Sequence, residues 1–152
     1  MKLAEALILR ADAQKRIQQL RERLNRSAKV QEGESPPEEP QALLEELQRT
    51  LLEFTDLMKR INGTNVTTAF DAITTLTDAL ADRDGLSLER SILVDLINAA
   101  AGAQFRYGRS EIKYVSTVDV AAVQKRADDL AKRHRELDTR IQQLNWSTEL
   151  VE

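Results

Sequence analysis

The chain has 152 residues, 31% of them charged and 41% apolar, with a net charge of -3, no cysteine and one histidine. One domain's length with few Gly, Pro and aromatic residues favours helices over a sandwich or barrel. The missing cysteines exclude disulfides and thiolate metal sites, and the near-neutral charge gives no overall drive toward nucleic acid or an anionic membrane.

From Leu3 to about Val30 no Gly or Pro occurs, and Leu3, Ala6, Arg10, Ala13, Ile17, Leu20 and Leu24 recur at spacings of three and four. This predicts a long helix with one charged seam position, Arg10, which a carboxylate from another helix or another subunit should meet. Glu5 interrupts the opening apolar run and no small-residue cleavage site follows, which reads as a mature cytoplasmic start. No segment approaches the roughly 18 apolar residues of a membrane span. An exposed, mobile Pro/Glu-rich linker is expected over 32–40. Pro40 then suits the first turn of a second helix, whose predicted seam is Leu44, Leu47, Leu51, Phe54, Met58 and Ile61.

Residues 1–31 hold eight Lys or Arg against three acids, a balance of +5, and residues 32–60 hold eight acids against three bases, a balance of -5. Complementary neighbours of this kind point to an antiparallel hairpin. RNA binding by the basic helix is the weaker reading, because no aromatics are interleaved for base stacking. After Ile61 the Asn62-Gly63 turn signal and the threonines that follow predict a loop, with a small extended or β element near 64–74 and 107–116. Asn62, Asn65 and Asn145 match the glycosylation acceptor pattern, which without a secretion signal is read as chance.

Thr75 and Asp78 form a capping-box pattern, so a third helix should begin near Leu76 and run to about Phe105, kinked or broken at Gly85. Asn62, Thr64 and Asn65 with Asp78, Asp82 and Asp84 are oxygen donors, but their spacing matches no EF-hand and capping accounts for several. Thr117 is the predicted cap of a last helix. Its seam is Val120, Val123, Ala127, Leu130, His134, Leu137, Ile141 and Leu144. Arg16-Ile17-Gln18-Gln19-Leu20 returns as Arg140-Ile141-Gln142-Gln143-Leu144, so the first and last helices are expected to share packing. His134 is read as a polar seam residue fixing register, in preference to a pH switch.

Met1-Lys2-Leu3-Ala4-Glu5-Ala6-Leu7, Gln14-Lys15-Arg16-Ile17, Val30-Gln31-Glu32-Gly33, Ile61-Asn62 with Thr64-Asn65, Leu76-Thr77-Asp78-Ala79-Leu80-Ala81 with Arg83-Asp84, Tyr107 with Arg109-Ser110-Glu111-Ile112-Lys113, and Asn145-Trp146 with Thr148-Glu149-Leu150 together resemble a septicolysin-like bacterial family of unknown function. The resemblance covers essentially the whole chain and departs from the family pattern at Ala72 and Gly85. It implies no established enzymatic activity. The lysis suggested by the family label finds no support in these residues.

The expected architecture is mainly all-α: a single domain over 1–152 of long antiparallel heptad helices in a bundle. The expected function is that of a cytoplasmic, non-enzymatic scaffold or interaction module that forms homo-oligomers through coiled-coil faces. The alternative is a small-anion binding enzyme or sensor whose phosphate or carboxylate ligand is held by the loop Arg106, Tyr107, Arg109, Ser110, Glu111 and Lys113. No catalytic residue, cofactor or metal site is expected. Nucleophilic catalysis lacks a cysteine or a Gly-x-Ser-x-Gly elbow.

Overall fold

The computed structural model describes residues 1–102 and 113–152. Four helices follow one another: α1 (Leu3–Arg26), α2 (Pro40–Thr67), α3 (Leu76–Ala101) and α4 (Val120–Ser147). Among the described residues there is no β-strand, and isolated bridge positions occur, among them the antiparallel pair Lys2 and Glu149. The chain forms two compact units, one of Met1–Ala69 with Gln143–Glu152, the other of Phe70–Gln142.

In the first unit α1 opens where the Glu5 carboxylate accepts the Lys2 N–H at 2.7 Å. It closes earlier than expected, at Arg26, because the Ser27 N–H donates to the carbonyls of both Arg23 and Leu24 and tightens the last turn. Leu3, Ala6, Leu20 and Ser27 are buried, and Arg10, Ala13, Ile17 and Leu24 between them are half-buried, so the seam runs the length of the helix. The connection 27–39 is mostly exposed, but two of its carboxylates have assigned tasks. Glu38 accepts three hydrogen bonds from Arg23, two from Nε at 2.9 Å and 3.2 Å and one from Nη2 at 2.5 Å, and Glu39 caps α2. With Arg16 bonded to Glu46 at 2.8 Å, the Arg23–Glu38 pair orders α1 and α2 as an antiparallel hairpin.

The buried row of α2 keeps Leu47, Phe54 and Ile61 of the expected seam and replaces Leu44, Leu51 and Met58 by the residues that precede them. Leu43, Thr50, Ile61 and Thr64 are buried and Leu47, Phe54 and Leu57 half-buried, whereas Leu44, Leu51 and Met58 are 47%, 42% and 38% exposed. Thr50 can replace a leucine in the seam because its hydroxyl donates to the Glu46 carbonyl at 2.9 Å, leaving its methyl for packing. The helix also continues to Thr67, through the residues expected to form a loop and to contribute to an extended element. Thr64, Thr67 and Thr68 each donate a hydroxyl hydrogen to the carbonyl four residues back, at 2.7–2.9 Å. Burial of Ile61 and Thr64 one turn apart outweighs the turn preference of Asn62-Gly63.

The C-terminal segment explains why a glycine stands there. The Leu3 N–H donates to the Thr148 carbonyl at 2.9 Å and the Leu150 N–H to the Met1 carbonyl at 2.8 Å. Val151 then reaches α2: its N–H donates to Thr64 Oγ1 at 3.0 Å and its carbonyl accepts from Arg60 Nε at 2.9 Å. A Cβ on Gly63 would stand 3.3 Å from a Val151 methyl. Leu150 is buried beside this clasp, and Lys2 Nζ lies 2.5 Å from Glu149.

In the second unit residues 70–75 form a tight connection, in which the Phe70 N–H donates to the Thr74 carbonyl at 2.9 Å. Asp71 accepts the backbone N–H groups of Ile73 and Thr74 at 2.9 and 2.8 Å. The expected capping box starts α3: Asp78 accepts the Thr75 N–H at 2.8 Å, and Thr75 Oγ1 accepts the Asp78 N–H at 3.4 Å. α3 runs unbroken through Gly85, because helix geometry is allowed to glycine and costs about 1 kcal/mol there relative to alanine. It ends at Ala101, short of the expected limit. The cap of α4 is Asp119, which accepts the Ala122 N–H at 3.1 Å, in place of the expected Thr117. Residues 113–116, the described remainder of the expected second extended segment, have no regular structure. Leu76, Ala79, Ala127, Leu130 and Ile141 are buried, and α3 is tied to α4 by Arg83–Asp138 at 2.9 Å and by Arg126–Glu89.

Candidate functional site

Of the loop expected to hold an anion, Arg106, Tyr107, Arg109, Ser110 and Glu111 lie outside the described residues, and Lys113 is exposed. Arg10 is half-buried on the α1 seam, and none of the described carboxylates forms an ion pair with it. His134 is half-buried on the α4 seam. Of the oxygen donors of 62–84, Thr64 bonds to Arg60 and Val151, and Asp78 caps α3. Asn62 and Asn65 sit inside a helix, and Asn145 is buried, positions unlike an exposed glycosylation loop.

Beside Gly85 lies an open groove of about 750 Å³ in the α3–α4 unit, whose polar lining is Asp82, Glu89, Arg133, Glu136 and Arg140. The missing side chain at Gly85 helps open it, since a Cβ there would meet nothing within 4 Å. The lining carries three carboxylates and two guanidiniums, so it presents no field of a single sign to a charged ligand. Arg140 is further engaged, its guanidinium stacked 4.1 Å above the Phe70 ring. The groove offers neither a nucleophile nor a general base paired with one.

The charged groups with shifted ionisation all serve the fold. Arg23 holds the Glu38 carboxyl below its ordinary range by hydrogen bonding, and Arg16 does the same for Glu46. The N–H groups of Ile73 and Thr74 lower Asp71, and the N–H and hydroxyl of Thr75 lower Asp78. Lys2, followed by the Met1 amine, lowers Glu149. These carboxylates sit at hairpin, cap and clasp positions, and none is displaced upward as a general acid would be.

The feature that sequence reading placed wrongly is the outward face of α2. Read at spacings of three and four, Gln41, Leu44, Gln48, Leu51, Thr55, Met58 and Asn62 form a row that is exposed at every position. It lies about 100° around the helix from the buried row. α3 carries a shorter exposed apolar row of Leu88, Ile92 and Leu96. Among the described residues, large apolar side chains at the surface outnumber the buried ones.

Similarity places this architecture among proteins without an assigned role. A crystal structure of a functionally unknown conserved protein from Corynebacterium diphtheriae is 48% identical, covers 99% of this chain and 99% of its own, and superimposes with a TM-score of 0.93. No curated protein matches, and nothing in the comparisons supports the septicolysin-like label. No helix among the described residues is long and apolar enough to cross a membrane. A model of a family of unknown function, DUF6847, matches residues 10–150, and the chain belongs to that family.

Proposed function

We propose that the protein is a self-associating helical scaffold or interaction module, acting in the cytoplasm without catalysis of its own. One observation carries the reading: its helices bury one apolar row and expose another. Leu44, Leu51 and Met58 on α2 and Leu88, Ile92 and Leu96 on α3 are periodic, at spacings of seven and of four, unlike the isolated apolar residues normal on a surface. A two-helix unit has few positions in which to bury side chains, so further helices are the natural cover for such rows.

Light scattering coupled to gel filtration tests the reading over a concentration series from low to high micromolar. The expected mass is a multiple of 17.2 kDa that falls on dilution. A mass of 17.2 kDa throughout would remove self-association as the function.

A further inference from the structure

The outer row of α2 is uncharged from Gln41 to Asn62, in a chain in which 31% of residues are charged. The charges begin at its edge, where Glu45, Leu52 and Lys59 follow at intervals of seven. All three are exposed, Leu52 at 66%, and neither Glu45 nor Lys59 forms an ion pair with a described residue. Glu45 accepts only a 3.4 Å hydrogen bond from Gln41 of the same helix.

This pattern is self-complementary in one orientation. Placing α2 antiparallel to a second α2, with Leu51 facing its own counterpart, brings Leu44 opposite Met58 and Gln48 opposite Thr55. The same register sets Leu52 against Leu52 and Glu45 against Lys59, once on each side of the two-fold axis. A parallel arrangement would instead place the two Glu45–Leu52–Lys59 edges on opposite sides of the interface, where neither Glu45 nor Lys59 meets its complement. Isologous pairing of one patch with itself is the usual way identical chains close a dimer.

We infer that a second copy of this chain docks antiparallel on the Leu44–Leu51–Met58 face of α2, about a two-fold axis at Leu51 and Leu52, with Glu45 of each copy paired to Lys59 of the other. The inference rests on the self-association reading and specifies its surface and partner. Leu51 and its symmetry mate form the centre of the interface, where a charge would be buried without a partner. Glu45 and Lys59 border it and select the direction.

The chain has no cysteine, so Leu52→Cys gives a single thiol. With a short bis-maleimide it should yield a covalent dimer at micromolar concentration, while Lys132→Cys, an exposed position on α4, should not. In sedimentation equilibrium Leu51→Glu should weaken dimerisation by about 100-fold or more, with helical circular dichroism unchanged because the position is exposed. Glu45→Lys and Lys59→Glu should each weaken it by about 10-fold, and the double reversal should restore it, since the pairing is regenerated across the axis. A native chain that self-associates, with no cross-linking at position 52 and no effect of Leu51→Glu, would overturn this surface and leave self-association to another face such as the α3 row. A monomeric native chain would overturn both.

Discussion

The two units share a two-helix plan but are held by different means. The first buries Leu3, Leu20, Leu43, Ile61 and Leu150 and fastens its helix ends, with ion pairs from Arg16 and Arg23 at the hairpin and the C-terminal segment against Thr64 and Arg60. Among the described residues the second buries three large apolar side chains, Leu76, Leu130 and Ile141, against five in the first, while polar seam residues occur in both, half-buried Arg83 and His134 here and half-buried Arg10 there. A polar or small residue at a seam gives up part of the transfer energy of a leucine. The contrast teaches that heptad-like spacing alone does not measure how firmly a pair of helices is held; the size of the seam residues and the attachments at the helix ends do.

Truncation in the first unit should have the largest effect. Ile61→Ala leaves a cavity next to the clasp and should cost about 2–5 kcal/mol, measured by urea unfolding, whereas Ala127→Gly in the second unit removes only a methyl and a helix preference and should cost about 1–2 kcal/mol. Equal losses would break the distinction. Thr64→Ala comes next: it leaves the Val151 N–H without its acceptor and should cost about 1–3 kcal/mol, with amide exchange at Val151 accelerated more than at any α3 residue.

The glycines sharpen the comparison at a smaller scale. Gly85→Ala in the second unit enters open space in a helix and should raise stability by about 1 kcal/mol. Gly63→Ala has the same helical preference to gain but meets Val151 at 3.3 Å, so its gain should be smaller. A larger gain at 63 than at 85 would show that the clasp does not press on α2.

The smallest effects are those of pH. Glu38, Glu46, Asp71, Asp78 and Glu149 all titrate below their ordinary values in the folded chain. Their contribution is therefore complete above the unfolded carboxylate range, about pH 4 to 4.5, and fades as pH falls through the folded values. Thermal melting should be insensitive to these groups from pH 6 to 7 and decline below about pH 4. Glu46→Gln should shallow that decline, and an unchanged acid profile would show that the Arg16 pair contributes nothing to the hairpin.

Much of this architecture was legible in the sequence. The seams of α1 and α4, the start of α3 at its Thr75–Asp78 box and the charge complementarity of α1 and α2 follow from spacing and local chemistry. The α2 seam was legible only at Leu47, Phe54 and Ile61, because Leu43-Leu44, Thr50-Leu51 and Leu57-Met58 offer two adjacent rows of similar spacing, and at Thr50-Leu51 hydrophobicity favours the exposed one. The hydrogen bond from the Thr50 hydroxyl to the Glu46 carbonyl makes its burial tolerable, and spacing does not reveal it. The course of 62–67 was hidden for a related reason: turn and β preferences are local, whereas the helix there is stabilised by threonine back-bonding and by a segment more than 80 residues distant. The loop holding Arg106 and Arg109 lies outside the described residues.

The outward row of α2 is where the misplaced seam becomes a functional proposal, and sedimentation equilibrium of the native chain beside Leu51→Glu tests it most directly. The account predicts a native mass of at least twice 17.2 kDa at micromolar concentration and a fall to 17.2 kDa in the variant, with helicity retained. A native chain at 17.2 kDa, or a variant that associates as tightly as the native chain, would contradict it.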